Sequence, residues 1–511
     1  MNIDNERTSY NEVPYPSFVF PQTSPDRLSS IARLCGINSA DPDNSRMLEL
    51  GCGDGTNLLA FAYTYPNSRF VGIDLAERHI QDALRSAAEL GLKNIEFIVG
   101  DLCELNTKDL GKFDLIVAHG LFSWVPEFVR DAAIRIYKEC LLENGVGYLS
   151  YNVYPGCHIR EMLSGMMRFH TEETPDPIEK VAEARSFIEF LADSVSENSI
   201  YGQTLRNELE QINSRSDSNV FHDDLSDFNQ PYYFHEFISL MESRGLSYIA
   251  EANPSTANPD KLQPEVKKAI YEISDDPLVR EQYIDFIDRR RFRSSLICLT
   301  EAEPLAEYDS SAIRGLRISS KLRPAELYDP NNTGSMRFSS SQGGLDINHP
   351  LTKAILYVLA ESGISGMKYT ELLDAAANLT GTKPIKADIE QSEGLLIRMF
   401  RAEFIGLHSG EPKFTTGISE KPVVSEFARF QASRNSNFVT TLAEANLNIE
   451  NPFIAELLKL SDGTRTKAEL AAELKERLNV PADEVEKFDE ALPGMIDSAL
   501  AEFAAAGLLA G

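Results

Sequence analysis

The chain has 511 residues with 42% hydrophobic and 25% charged content, ordinary for folded protein but too long for one core, so two to four domains are expected. Its 78 acidic against 49 basic residues give a formal net charge of -29; such a surface repels phosphate backbones and anionic lipid and favours basic partners such as a lysine-bearing polypeptide. Six scattered cysteines (Cys35, Cys52, Cys103, Cys140, Cys157, Cys298), no signal-peptide pattern and no apolar run near 20 residues argue against a disulfide framework, a metal site and a membrane span, and the expected location is the cytoplasm.

From about residue 44 to 152, short apolar runs alternate with helical patterns. MLEL (47–50), RFVGID (69–74), IEFIVGD (95–101), FDLIVAHG (113–120) and GVGYLSYN (145–152) read as buried parallel strands, with crossover helices over 77–90 and 126–143. This is the pattern of a doubly wound, Rossmann-like α/β sheet. The alternation stops after Asn152. Residues 157–215 read as helical, with Asp176-Pro177 as a cap and first turn and a stripe of Val181, Ala184, Phe187, Ile188, Leu191 and Val195. That stripe exceeds what one sheet edge needs to cover and points to a homodimer. LSYIAEA (246–252) and FRSSLICLT (292–300) would complete the sheet.

Residues 308–348, rich in Ser, Gly, Asn and Pro, read as a linker or small β subdomain. Beyond it, a helix over 351–363 followed by TELLDAA is echoed by a helix over 453–463 followed by TKAELAAEL, whose Thr466 and Glu469 form a capping box. Two small helical units of winged-helix type would explain the echo. The expected division is a sheet domain over 1–156 and 236–302, a helical insertion over 157–235, a middle unit over 303–420 and a C-terminal winged-helix-like unit over 421–511.

Chemistry concentrates at the carboxyl ends of the first four strands, where ligands bind in open α/β sheets. Glu49-Leu50-Gly51-Cys52-Gly53-Asp54-Gly55 is a glycine turn between a strand and a helix whose first turn carries Asn57. Its GxGxG spacing differs from the dinucleotide fingerprint, and the acid directly before it suits an ammonium better than a pyrophosphate. Asp74 ends the second strand and can accept both hydroxyls of a ribose. Asp101 ends the third and can accept from an adenine amino group. Leu75 and Leu102 stand beside them to pack on ribose and ring, and His119-Gly120 closes the fourth strand.

As a set, these motifs resemble class I S-adenosylmethionine-dependent methyltransferases. The resemblance implies that Glu49, Gly51 and Gly53 hold the methionine part of the cofactor, Asp74 the ribose and Asp101 the adenine; Cys52, Asn57, Leu75, Leu102, His119 and Gly120 complete the expected cofactor-binding set. A narrower resemblance rests on Tyr15-Pro16-Ser17, Phe20-Pro21-Gln22-Thr23, HGLFSWVP (119–126), SYNVYPG (150–156), QPYYFHEF (230–237) and LSDGTR (460–465). It is to bacterial methyltransferases carrying a methyltransferase regulatory domain, a group that includes lysine methyltransferases of outer-membrane proteins. One departure is Cys157, where the group places a Trp; a smaller pocket wall is expected there.

An amine acceptor must be held near the methyl group and shed a proton, which apolar and aromatic walls favour. The set available is Tyr15, Phe122, Trp124, Tyr151, Asn152 and Tyr154, with His119 as a wall contact or a base. The acceptor reads as a lysine side chain of a protein. The alternative is a small molecule, the C-terminal units then serving as lid or oligomerisation arm. Over 421–511 acids outnumber bases, leaving no stripe for DNA.

Overall fold

The computed structural model of the protein describes residues 18–341, 343–434, 436–478, 480 and 485–511. Tyr15 and the Tyr15-Pro16-Ser17 motif lie outside them. The main sheet has seven strands: β1 (Arg46–Leu50), β2 (Arg69–Asp74), β3 (Ile95–Val99), β4 (Phe113–Ala118), β5 (Leu141–Asn152), β6 (Leu246–Glu251) and β7 (Phe292–Leu299). Their order is β3-β2-β1-β4-β5-β7-β6. Strands β1 to β5 are parallel, and β7 runs antiparallel between β5 and β6, so the sheet is mixed. The order reverses between β1 and β4, which opens a crevice at their carboxyl ends.

One sheet face packs on helices Pro25–Leu34, Thr56–Thr64 and Glu77–Glu89. The other packs on Glu127–Cys140 and Phe234–Ser243. Alternation along β5 divides its side chains: Tyr148 joins the first face, and Leu149, Tyr151 and Val153 join the second.

Helices Cys157–His170, Pro177–Ser194 and Ile200–Asn213 form a layer with a core of its own. Asp176 caps the second of them, its carboxylate accepting from Ile178 N and Glu179 N at 2.9 Å each. The stripe read from the sequence turns inward. Val181, Ala184 and Ile188 are buried against the neighbouring helices, and Phe187 stacks on His170 at 4.2 Å. The stripe is therefore covered within its own layer.

The Ser- and Gly-rich stretch is built, with strands β8 (Arg317–Ser320), β9 (Arg323–Pro324), β10 (Met336–Ser340) and β11 (Gly343–Ile347). Strand β8 pairs with β12 (Met367–Lys368) and β13 (Ile405–His408), beside helices Pro350–Ser362, Tyr369–Thr380 and Lys386–Arg401. The cluster under the first sheet face runs on into Ile313–Phe427, so sheet and middle unit share one core. The described residues between Val424 and Leu509 close a separate core, with a hairpin of β14 (Phe438–Thr440) and β15 (Asn446–Asn448) beside helices Glu426–Ser433, Pro452–Leu460, Lys467–Arg477 and Val485–Ala506; Thr466 and Glu469 make the reciprocal capping box. Helix Pro25–Leu34 meets the middle unit at Asp26, which accepts from Ser409 N at 2.6 Å and Gly410 N at 2.9 Å and pairs with His408 Nδ1 at 2.8 Å. Among the described residues no helix is long and apolar enough to cross a membrane.

Candidate functional site

Strand β1 delivers Glu49 to the crevice, and the chain then turns through Gly51, Gly53 and Gly55, all at positive φ. The turn is pinned to β2, because Gly51 N and Cys52 N both donate to Ile73 O, at 2.8 and 3.1 Å. Space is as restrictive as φ. A Cβ on Gly55 would stand 2.5 Å from Phe97 Cζ, and one on Gly72 would stand 2.8 Å from Cys52 Sγ. Gly53 and Gly120 instead border open space, as the walls of a cleft should.

Glu49 is buried. Its Oε1 accepts from Asn57 Nδ2 at 2.9 Å, and its Oε2 has no partner among the described residues. Burial pushes the carboxyl up to about 8; the Asn57 amide opposes that rise, and the nearby charges of Asp74 and Asp54 add to it. A buried acid with one oxygen unused is a group awaiting a cation donor.

Asp74 binds the glycine turn from the end of β2: Oδ2 accepts from Gly53 N and Oδ1 from Ala76 N, both at 2.8 Å. Each oxygen keeps a lone pair for a further donor. Gly100 N donates to Asp74 O at 3.0 Å, which sets the ends of β2 and β3 side by side, and Asp101 there accepts from Cys103 N at 2.9 Å. Leu75 is exposed beside Asp74, whereas Leu102 is buried in the second core cluster. His119 Nδ1 lies 2.9 Å from Tyr148 OH, and Gly120 N donates to Ser150 Oγ at 2.8 Å. Burial lowers the imidazole to about 4, so at neutral pH it is an uncharged wall and a weak base.

The acceptor-side set divides. Trp124 is half-buried, with the Arg160 guanidinium 5.5 Å from its ring, and Phe122 is buried against Tyr232 and Phe237. Asn152 N donates to Ser123 Oγ at 2.8 Å, and its Nδ2 donates to Asn229 Oδ1 at 2.8 Å. Tyr154 stacks on His158 at 4.1 Å and donates to Glu161. Burial and the Glu161 carboxylate both raise its phenol, which stays protonated. Tyr151 does not reach this region: it is fully buried on the opposite face, stacked 3.8 Å from Phe237 with its hydroxyl on Ser295. The strand's two-residue period sends it there while Asn152 goes to the cleft face. Cys157 also walls no open pocket; it is buried, and its Sγ donates to Arg291 O at 3.2 Å.

Two aromatics escaped the sequence reading as site residues. Phe20 lies face to His119, centroids 3.8 Å apart, and its N–H donates to Asn57 Oδ1 at 2.9 Å. Phe292, 42% exposed, pairs across from Asn152 and stands 6.3 Å from His119. Phe20 belonged to a noted motif and Phe292 began an expected strand, but only the tertiary contacts, Phe20 N on Asn57 and the pairing of Phe292 with Asn152, bring the two rings to His119.

Three family models match: a methyltransferase domain over 41–212, a predicted methyltransferase regulatory domain over 216–299, and the PKMT C-terminal winged helix domain over 420–508. An uncharacterized protein of Rickettsia prowazekii is 32% identical over 476 residues, covering 90% of this chain and 84% of its own. The solved structure of PKMT2 from Rickettsia typhi superposes with a TM-score of 0.86 at 28% identity, covering 98% of this chain and all of that one; the same protein has been solved in complex with AdoHcy. Fold and glycine turn define a class I S-adenosylmethionine-dependent methyltransferase. The chain belongs to the bacterial family in which that domain is joined to a methyltransferase regulatory domain and a C-terminal winged helix of PKMT type.

Proposed function

We propose that the acceptor is a lysine side chain of a protein, and that the residues gathered around Glu49 hold the S-adenosylmethionine. The observation that carries the acceptor reading is the whole-chain likeness to PKMT2, which extends through the middle and C-terminal units. The narrow resemblance to protein-lysine methyltransferases in the sequence motifs supports it.

The cofactor supplies a methyl group on a sulfonium. The residues fit its shape: Glu49 Oε2 would take the ammonium, the free lone pairs of Asp74 the ribose hydroxyls, and Asp101 the adenine amino group. The bare edges of Gly53 and Gly120 leave room for a ligand between them. On the acceptor side, Phe292 and the neutral His119 offer an apolar floor that disfavours a charged amine, and Asn152 is paired across from Phe292. With that floor uncharged and Tyr154 protonated, the proton is lost to solvent or to the acceptor's own surroundings before attack.

An acidic, cytoplasmic enzyme acting on neither nucleic acid nor membrane agrees with the net charge. We also propose that the copies pair as a homodimer through the helical layer, where Phe169, Ile178, Phe190 and Ile200 remain exposed. Purified protein incubated with labelled cofactor and cell lysate should place label on protein lysines by mass spectrometry. Label confined to a protein-free fraction would establish a small-molecule acceptor instead.

A further inference from the structure

The segment Phe18–Thr23 runs between the cofactor crevice and the C-terminal unit, and both hold it. From the crevice side, Asn57 accepts from Phe20 N at 2.9 Å and donates to Thr23 Oγ1 at 3.0 Å, while the same amide donates to Glu49. The Phe20 carbonyl is taken up locally by Thr23 N at 2.9 Å and Thr23 Oγ1 at 2.8 Å. From the other side, Asn446 Nδ2 donates to Val19 O at 2.8 Å across 427 residues of sequence, and Phe438 meets Phe18 edge-on at 5.6 Å. Phe438 and Asn446 stand on the two paired strands of one hairpin, β14 and β15. The turn of that hairpin carries Glu444, at φ +62°, whose Oε1 accepts from Tyr65 OH at 2.8 Å just beyond the helix Thr56–Thr64, whose first turn carries Asn57. The hairpin therefore holds both the segment that carries Phe20 and the residue that follows the helix on which Asn57 stands.

We propose that Asn446 is a positioning residue for the methyltransferase site: the β14–β15 hairpin of the winged-helix unit holds Phe18–Thr23 in place, and through it the Phe20 ring that walls the crevice at His119. The proposal rests on the reading that Glu49, Asp74 and His119 line the cofactor site. Its consequence is that cofactor retention depends on a contact made by the winged-helix unit. The Asn446 Oδ1 also accepts from Thr440 Oγ1 at 3.3 Å inside the hairpin, but the backbone ladder of β14 and β15 does not depend on that side chain.

The test uses the full-length protein and calorimetric titration with S-adenosylhomocysteine. Asn446→Ala should weaken binding roughly 3- to 10-fold, the worth of one hydrogen bond, at unchanged stoichiometry. A merely structural defect would instead lower the stoichiometry and leave the affinity of the folded fraction alone. Phe20→Ala should weaken binding as well, and Asn446→Ala should add little in the Phe20→Ala background, because both act through one segment. Unchanged affinity in Asn446→Ala, or full additivity of the two, overturns the proposal while Asp74→Ala still weakens binding. Asp74→Ala binding as tightly as the unaltered protein overturns the site reading itself, and this proposal with it.

Discussion

At Glu49 the first strand delivers a carboxyl with one oxygen engaged by Asn57 and the other without a partner among the described residues, raised by burial to about 8. Taking up an ammonium requires the carboxylate, so below that pH each binding event must first expel a proton. Cofactor affinity should therefore climb by up to about tenfold per pH unit as pH rises from about 6 toward 8. It should then decline as the ligand's own α-amino group, ordinarily near 7.7–8.0, loses its charge. Glu49→Gln should flatten the rising limb, and calorimetry across pH checks both; a flat profile in the unaltered protein counts against the assignment. The sign for stability is opposite. A carboxyl raised on folding keeps a proton that the unfolded chain releases, so the ligand-free protein loses stability as pH rises from the ordinary glutamate range toward 8. Asp74→Ala should remove two charge-assisted contacts to ribose hydroxyls at about 1.5–3 kcal/mol each, and it also strands Gly53 N and Ala76 N. Binding should fall below detection while circular dichroism still reports a folded sheet.

At the scale of the element, the glycine turn and the helical layer make opposite demands on space. Gly55 cannot gain a methyl without meeting Phe97 and must hold φ +75°, whereas Gly91 at φ +65° has nothing within 4 Å. Gly91→Ala should cost about 1–2 kcal/mol from the left-handed backbone alone, and Gly55→Ala more, with loss of cofactor binding besides. Thermal melts of the two variants separate backbone strain from collision. In the helical layer the apolar stripe is used up internally, so any pairing of copies must use what remains outside, Phe169, Ile178, Phe190 and Ile200. Light scattering at tens of micromolar should report a dimer that Phe169→Glu with Phe190→Glu reduces to a monomer. A monomer in the unaltered protein removes the idea.

For the whole molecule the dominant property is charge. A net -29 raises the encounter rate with basic polypeptide segments by an amount that salt screens away over a Debye length of about 10 Å at 0.1 M. Methylation of a protein acceptor should fall between low and moderate ionic strength while cofactor affinity changes little, and a small neutral acceptor would show no such fall. Peptides whose lysines are replaced by arginine should bind comparably yet take no methyl, because guanidinium keeps its proton. Initial rates across a salt series, with cofactor titrations alongside, distinguish these outcomes.

What could be read from the sequence alone was whatever depends on local pattern. Apolar runs, a strand-end acid and a GxGxG turn specify a nucleoside-binding α/β sheet because the parallel strands and the turn each have a short-range signature. The Thr466–Glu469 box and the Asp176 cap were visible for the same reason. Long-range packing decided the rest. Which face of β5 meets the crevice follows from the register with β4 and β7, and it sent Tyr151 to the far core while Phe292 came to the cleft. Whether an apolar stripe is free or covered depends on neighbouring helices, and those covered Val181 and Ile188. The continuous core joining sheet and middle unit, and the contact of Asn446 with Val19, bring together residues whose spacing carries no signal, because chain closure over hundreds of residues leaves no periodic trace in the sequence.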